Sequence, residues 1–130
     1  MTRHLPIQQA ATELDVTPDT LRYYEKQGLL IHVGRNTSGH RQYAPADMDW
    51  LRFILCLKST GMPLELIKRY RDLLVAGDHT IAQRQAILTE HHTQIESDLK
   101  LLQTNLTRIE QKIEFYDNIH SDSTKSCSTN

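Results

Sequence analysis

Three groups of residues in this 130-residue chain have types and spacings that could do chemistry. The first is Thr17 to Asp47, TPDTLRYYEKQGLLIHVGRNTSGHRQYAPAD, where Arg22, Tyr23 and Tyr24 are followed, after a Gly-rich turn, by His40-Arg41-Gln42-Tyr43. Guanidinium forks and phenols at this density suit contacts to phosphate oxygens and to base edges in a DNA groove. The second is the thiol of Cys56. It follows Asp49 by seven and Arg52 by four and precedes Ser59 and Thr60, which puts it on the polar edge of its helix. A free cysteine is commonly a small buried hydrophobe. A cation at i−4, with Lys58 nearby in sequence, instead favours thiolate, the reactive form. The third group, His91, His92, His120 and Cys127, is a poor metal site. One thiol with His120 lacks the remaining ligands, and adjacent histidines on a helix point about 100° apart. No metal or cofactor is expected. Paired carboxylates, a phosphate-cradling Gly loop and a nucleophile with a general base are all missing from the sequence pattern, which argues against an enzyme.

Elements must position these groups. Ile7, Ala10, Ala11 and Leu14 fall at i, i+3, i+4 and i+7, predicting a short first helix. Asp15 then takes a left-handed turn position, which Gly would fit best and Asp tolerates. Thr17 is a good N-cap and Pro18 a good first residue for a second helix running to about Gln27, with Gly28 as its stop. Helix, tight turn, helix is the helix-turn-helix arrangement, whose second helix reads DNA. Leu29-Leu30-Ile31 and His40-Tyr43 are read as the two arms of a hairpin or wing. Pro45 starts a third helix to about Thr60, with Met48, Leu51 and Leu55 on one face. Pro63 starts a fourth, ending near Gly77.

The remaining chain differs in kind. Thr80 and Gln83 could form a capping box. Beyond them Ile95, Leu99, Leu102, Leu106, Ile109, Ile113 and Tyr116 recur at alternating spacings of four and three, an unbroken heptad seam. No Pro or Gly interrupts residues 78–117, and a helix of that span would be roughly 57 Å long. Such a seam needs a partner helix, and a second copy of the chain is the simplest one. The fold class expected is therefore mainly α: a winged helix-turn-helix unit with its third and fourth helices over residues 1–76, a coiled-coil dimerisation helix over 77–118, and a flexible polar tail over 119–130.

Composition sets the bounds. The net charge is −1, yet residues 1–75 carry 10 Lys/Arg against 8 Asp/Glu, while residues 76–130 carry 5 against 8. DNA affinity must then come from placed cations rather than a broad field. Two widely spaced cysteines, no secretory leader pattern and no membrane-length apolar run lead to the expectation of a cytoplasmic protein with no membrane contact.

TLRYYEKQGLL, then GRNTSGHRQY, then an Asp four residues after that Tyr, and finally LKSTGMPLELIK closely resemble the MerR family of bacterial transcription regulators, in order from Ile7 to about Leu74. The long helix is similar to that family's antiparallel dimerisation coiled coil. The resemblance implies a homodimer that binds double-stranded promoter DNA at a pseudo-palindrome and distorts it. It would thereby act on RNA polymerase indirectly, through the promoter. It also implies that Thr20, Arg22 and Tyr23 are recognition-helix contacts, that Arg41 and Tyr43, with Arg35 as a third, are wing contacts, and that Lys58 meets phosphate. Tyr24 and Tyr43 have the alternative of packing, and Arg41 that of pairing with Asp47. FILCLKSTGMPLELIK further resembles the thiol-dependent, NmlR/AdhR-like branch, which responds to aldehydes, other electrophiles or nitrosative stress. That implies a sensing role for Cys56. Two alternatives stay open: the same fold with a structural Cys56 and a metal or small-molecule effector, and a coiled-coil adaptor without regulatory DNA binding.

Overall fold

Asp15 adopts φ 57° and ψ 44°, the left-handed conformation expected of the turn. Its N–H reaches back to the carbonyls of Ala11 and Thr12 and closes α1 (Ile7–Leu14). α2 (Pro18–Lys26) starts at once, with the Thr17 hydroxyl accepting from the Thr20 N–H at 3.2 Å. Gly28, at φ 75°, lets the chain leave α2 in a conformation that costs other residues energy. The computed structural model describes residues 3–31 and 33–129, with side chains from 123 onward, that of Cys127 included, outside the described set.

The wing is built differently from the expected hairpin. Its strands are β2 (Gly34–Arg35) and β3 (Arg41–Tyr43), paired antiparallel with Arg35 opposite Arg41. β3 also pairs with β1 (Leu5–Pro6), giving the order β1-β3-β2. Leu29-Leu30-Ile31 is not a strand. Leu29 and Leu30 are buried instead, because their apolar side chains are drawn into the core directly after the Gly28 turn. The Asn36 carboxamide oxygen accepts from the N–H groups of Ser38 and His40, both at 3.0 Å, and shapes the wing's turn.

α3 (Pro45–Ser59) begins with the Ala44 N–H donating to the Asp47 carboxylate at 2.8 Å. Ala44 has no side-chain oxygen to offer, so only this half of a capping box forms. Met48, Leu51, Ile54 and Leu57 are its buried residues. Leu55, expected on the inner face, is half-buried, since the helix is apolar over a wide arc and the phase is set by its neighbours. α4 (Leu64–Ala76) buries Ile67 and Tyr70. Lys68 donates to the Gln27 side chain at 3.3 Å, and Arg71 donates to the Leu30 carbonyl at 3.3 Å. These bonds tether the exit of α2.

Thr80 ends a 3-10 turn (Asp78–Thr80) rather than opening a capping box. Its buried hydroxyl donates toward the carbonyls of Leu73 (2.5 Å) and Gly77 (2.7 Å) and accepts from Arg84 Nε (3.0 Å). α5 (Ile81–Thr129) follows. Met1–Thr89 form one compact unit and Glu90–Asn130 the other. Ile87 and Leu88, at the start of α5, pack against the first unit's core. α5 runs to Thr129 and so includes residues 119–129, whose polar sequence contains no Pro or Gly. No helix among the described residues is long and apolar enough to cross a membrane.

Candidate nucleic-acid interface

α2 and the wing border an open groove of about 550 Å³ whose lining includes Gln8, Arg22, Arg35, Asn36, His40 and Arg41. Its position follows from local rules. The Thr17-Pro18 start orients α2, and β3, held between β1 and β2, carries Arg41 up beside it. Arg22 is exposed, and its Nη1 donates to Asp19 at 2.7 Å, a surface pair that leaves the rest of the guanidinium free to reach outward. Tyr23 is exposed and tilted against Tyr24, with 5.9 Å between ring centroids. Thr20 is half-buried, with its hydroxyl 2.9 Å from that of Thr17. It therefore joins the hydrogen bonds that cap α2.

The two wing arginines converge on one carboxylate. Arg41 Nε donates to Glu25 Oε2, and Arg35 Nη2 approaches Glu25 Oε1 at 3.4 Å. Arg35 Nη1 also donates to the Gly39 carbonyl at 2.9 Å, bracing the turn. Arg41 thus pairs with Glu25 and not with Asp47, which is engaged at the start of α3. Glu25 was not singled out from the sequence. The available signal was an acidic residue one turn beyond Arg22 in a segment otherwise rich in cations.

Tyr43, read as a wing contact with packing as its alternative, lies in the core of the unbound chain. Its side chain is 0% exposed, and its hydroxyl has no hydrogen-bond partner among the described residues. Burial pushes its phenol above the ordinary range, against the lowering pull of Arg41. Burial raises Tyr24 likewise, with Tyr23 adding to it. Lys58 is exposed in the last turn of α3.

Cys56 is exposed, as its helix phase indicated. Its carbonyl accepts from the hydroxyls of Ser59 (3.0 Å) and Thr60 (2.8 Å) and from the Thr60 N–H (3.1 Å), closing the end of α3 just beyond the thiol. Arg52, the cation expected beside it, donates to Asp49 at 3.2 Å. His92 Nδ1 lies 3.1 Å from Glu96, and no group of three potential metal ligands occurs among the described residues. On the second unit Leu99, Leu102, Leu106, Ile109, Ile113 and Tyr116 are all exposed, between 47% and 66%, whereas Ile95 is half-buried.

Comparison with known proteins agrees with this arrangement. A family model described as MerR HTH family regulatory protein matches residues 5–74, and one described as MerR, DNA binding, matches residues 48–117. An uncharacterized HTH-type transcriptional regulator of Haemophilus influenzae is 36% identical over 108 residues, which cover 83% of this chain and 80% of that one. The HTH-type transcriptional regulator AdhR of Bacillus subtilis is 37% identical over 89 residues, 68% of this chain and 64% of AdhR. Among solved structures, HiNmlR, described as a MerR family regulator lacking the sensor domain and bound to promoter DNA, superimposes with a TM-score of 0.83 at 35% identity, covering 91% of this chain and 92% of that one.

Proposed function

Because the chain belongs to the MerR family of helix-turn-helix transcriptional regulators, we propose that it works as a homodimer that binds and distorts a pseudo-palindromic promoter and is switched through Cys56. The family consists of DNA-binding regulators, and the protein is one of these rather than an enzyme. The observation that carries the DNA reading is the groove between α2 and the wing, with Arg22, Arg35 and Arg41 on its walls. Three arginines against the two carboxylates that pair with them, Asp19 and Glu25, leave a net positive cluster on a chain of net charge −1. In this reading Thr20, Arg22 and Tyr23 are the recognition-helix contacts, Arg41 and Tyr43, with Arg35 as a third, meet the groove and the phosphates beside it from the wing, and Lys58 meets a phosphate. The likeness to HiNmlR, solved on promoter DNA, supports the same use of this surface.

Dimerisation is supported by the exposed apolar stripe from Leu99 to Tyr116, which water leaves costly until a second helix covers it. Two copies then address two half-sites, and RNA polymerase feels the protein through the bent promoter. Exposure of Cys56 supports the switch. Its thiolate adds to an electrophilic carbon such as that of an aldehyde, with a proton from water going to the oxygen, or it is oxidised by a stress oxidant. The AdhR likeness favours this branch. The test is duplex binding by Arg22→Ala and Arg41→Ala. Each should weaken binding by about 1–3 kcal/mol, and the parent should lose affinity steeply with salt. Parent-like binding by both variants would remove the promoter-binding role.

A further inference from the structure

A carboxylate on a surface that must meet phosphate calls for an explanation. Glu25 stands in the last turn of α2, between two arginines of the wing, and is only partly exposed. Left alone it would repel DNA and weaken every phosphate contact around it. Its two oxygens go to two different strands, Oε2 to Arg41 on β3 and Oε1 to Arg35 on β2. Those strands are three and two residues long, so their ladder alone anchors the wing weakly. The half-exposed Arg35 contact adds little to global stability, whereas the part-buried Arg41 contact fixes the wing against α2. Arg41 is gripped through Nε, at the side of the guanidinium. Arg35 is gripped at Nη2 while its Nη1 holds the Gly39 carbonyl.

We propose that Glu25 is a positioning residue for DNA recognition, locking the wing arginines to the recognition helix so that helix and wing engage a duplex as one preorganised surface. The proposal rests on the reading of Arg35 and Arg41 as DNA contacts. The same carboxylate tempers the positive groove and so holds down binding to arbitrary sequence. Glu25 thereby raises the ratio of specific to non-specific affinity rather than affinity as such.

Simple electrostatics and positioning predict opposite outcomes for Glu25→Gln. Removing a negative charge should tighten binding to every duplex. Removing a positioning group should weaken binding to the chosen sequence alone. The experiment selects a duplex for the parent protein from a random library, then measures Glu25→Gln on it and on a scrambled duplex of equal length and composition. Thermal melts confirm that the variant folds. Specific affinity should fall about 10-fold, with non-specific affinity unchanged or up to about threefold higher. In an Arg41→Ala background the effect of Glu25→Gln on the selected duplex should largely disappear, and Glu25→Asp, with the charge on a shorter arm, should fall between parent and Gln. Equal changes on both duplexes, in either direction, would overturn the proposal, and so would an undiminished Glu25→Gln effect without Arg41. If Arg35→Ala and Arg41→Ala bind the selected duplex like the parent, the wing contacts and this proposal are lost together. If they weaken it and Glu25→Gln does not, only the positioning role is lost.

Discussion

Leu102→Asp should convert the protein from dimer to monomer at concentrations where the parent is fully paired. Leu102 is 66% exposed in the single chain and is the second residue of the stripe that runs from Leu99 to Tyr116. Fully burying a leucine is worth roughly 2.5 kcal/mol, so covering the two-thirds still exposed is worth about 1.6 kcal/mol. A homodimer carries the substitution twice, which brings the lost burial to about 3 kcal/mol. Each new carboxylate also loses water against apolar neighbours, at about 1–3 kcal/mol apiece. The total, about 5–9 kcal/mol, weakens association by at least about a thousandfold at 1.4 kcal/mol per tenfold. Sedimentation velocity over a nanomolar to micromolar dilution series reads this directly. Promoter affinity should fall with it, because a monomer addresses one half-site. A Leu102→Asp protein that dimerises like its parent would refute the reasoning and show that the stripe faces something other than a second copy. Conversely, Thr107→Asp, near that stripe but on a residue whose hydroxyl already donates to the Gln103 carbonyl, should leave the dimer intact.

Other outcomes follow from the first unit. Cys56→Ser should bind promoter DNA like the parent yet lose transcriptional response to aldehyde or oxidant, and intact-protein mass spectrometry should find the parent's adduct at Cys56; a responsive Cys56→Ser would remove the switch. Asp15→Gly should raise stability by up to about 1 kcal/mol and Asp15→Ala lower it by about 1 kcal/mol, because Asp15 sits at φ 57°. In a domain of this size each is about 4–8 °C in Tm by calorimetry, and an Ala variant that outlasted the Gly variant would contradict the turn argument. Tyr43→Phe should keep promoter affinity within about twofold and change stability by no more than about 1 kcal/mol, since it removes a buried hydroxyl with no partner among the described residues. The Tyr43 phenol is raised in the folded state, so its contribution to stability is intact below the unfolded value of about 10 and is lost as pH climbs through the folded one. Tyr43→Phe should therefore soften alkaline unfolding; an unchanged alkaline limb would mean that Tyr43 does not sense burial.

Much of this organisation was legible where the determinants are local. The i, i+3, i+4 pattern of α1, the Thr17-Pro18 start of α2, the left-handed Asp15 and the exposure of Cys56 all depend on residues within a turn or two of one another. What escaped depends on distant partners. A two-residue strand such as Leu5–Pro6 carries no periodicity and exists only because β3 lies beside it. Leu29 and Leu30 looked like strand residues until the core claimed them. In α3, apolar residues cover so much of the helix that only contacts with other elements choose Ile54 and Leu57 over Leu55. Glu25 meets Arg41 across 16 residues, and no spacing rule announces such a pair. Tyr43 shows the converse: an aromatic at the wing's end reads equally well as a contact and as packing, and only the burial around it decides.

The chain also contains a built-in optical gauge. Trp50 is its one tryptophan, and the indole N–H donates to the Leu29 carbonyl at 2.8 Å, just beyond the end of α2. The same ring stacks on Tyr70 of α4, with centroids 6.1 Å apart and planes 10° from parallel, and lies on the helix that carries Cys56. Its emission wavelength and quenching therefore depend on the mutual seating of α2, α3 and α4. Rearrangement of the helix bearing the thiol can be timed from native fluorescence, with no label attached and no cysteine consumed by one.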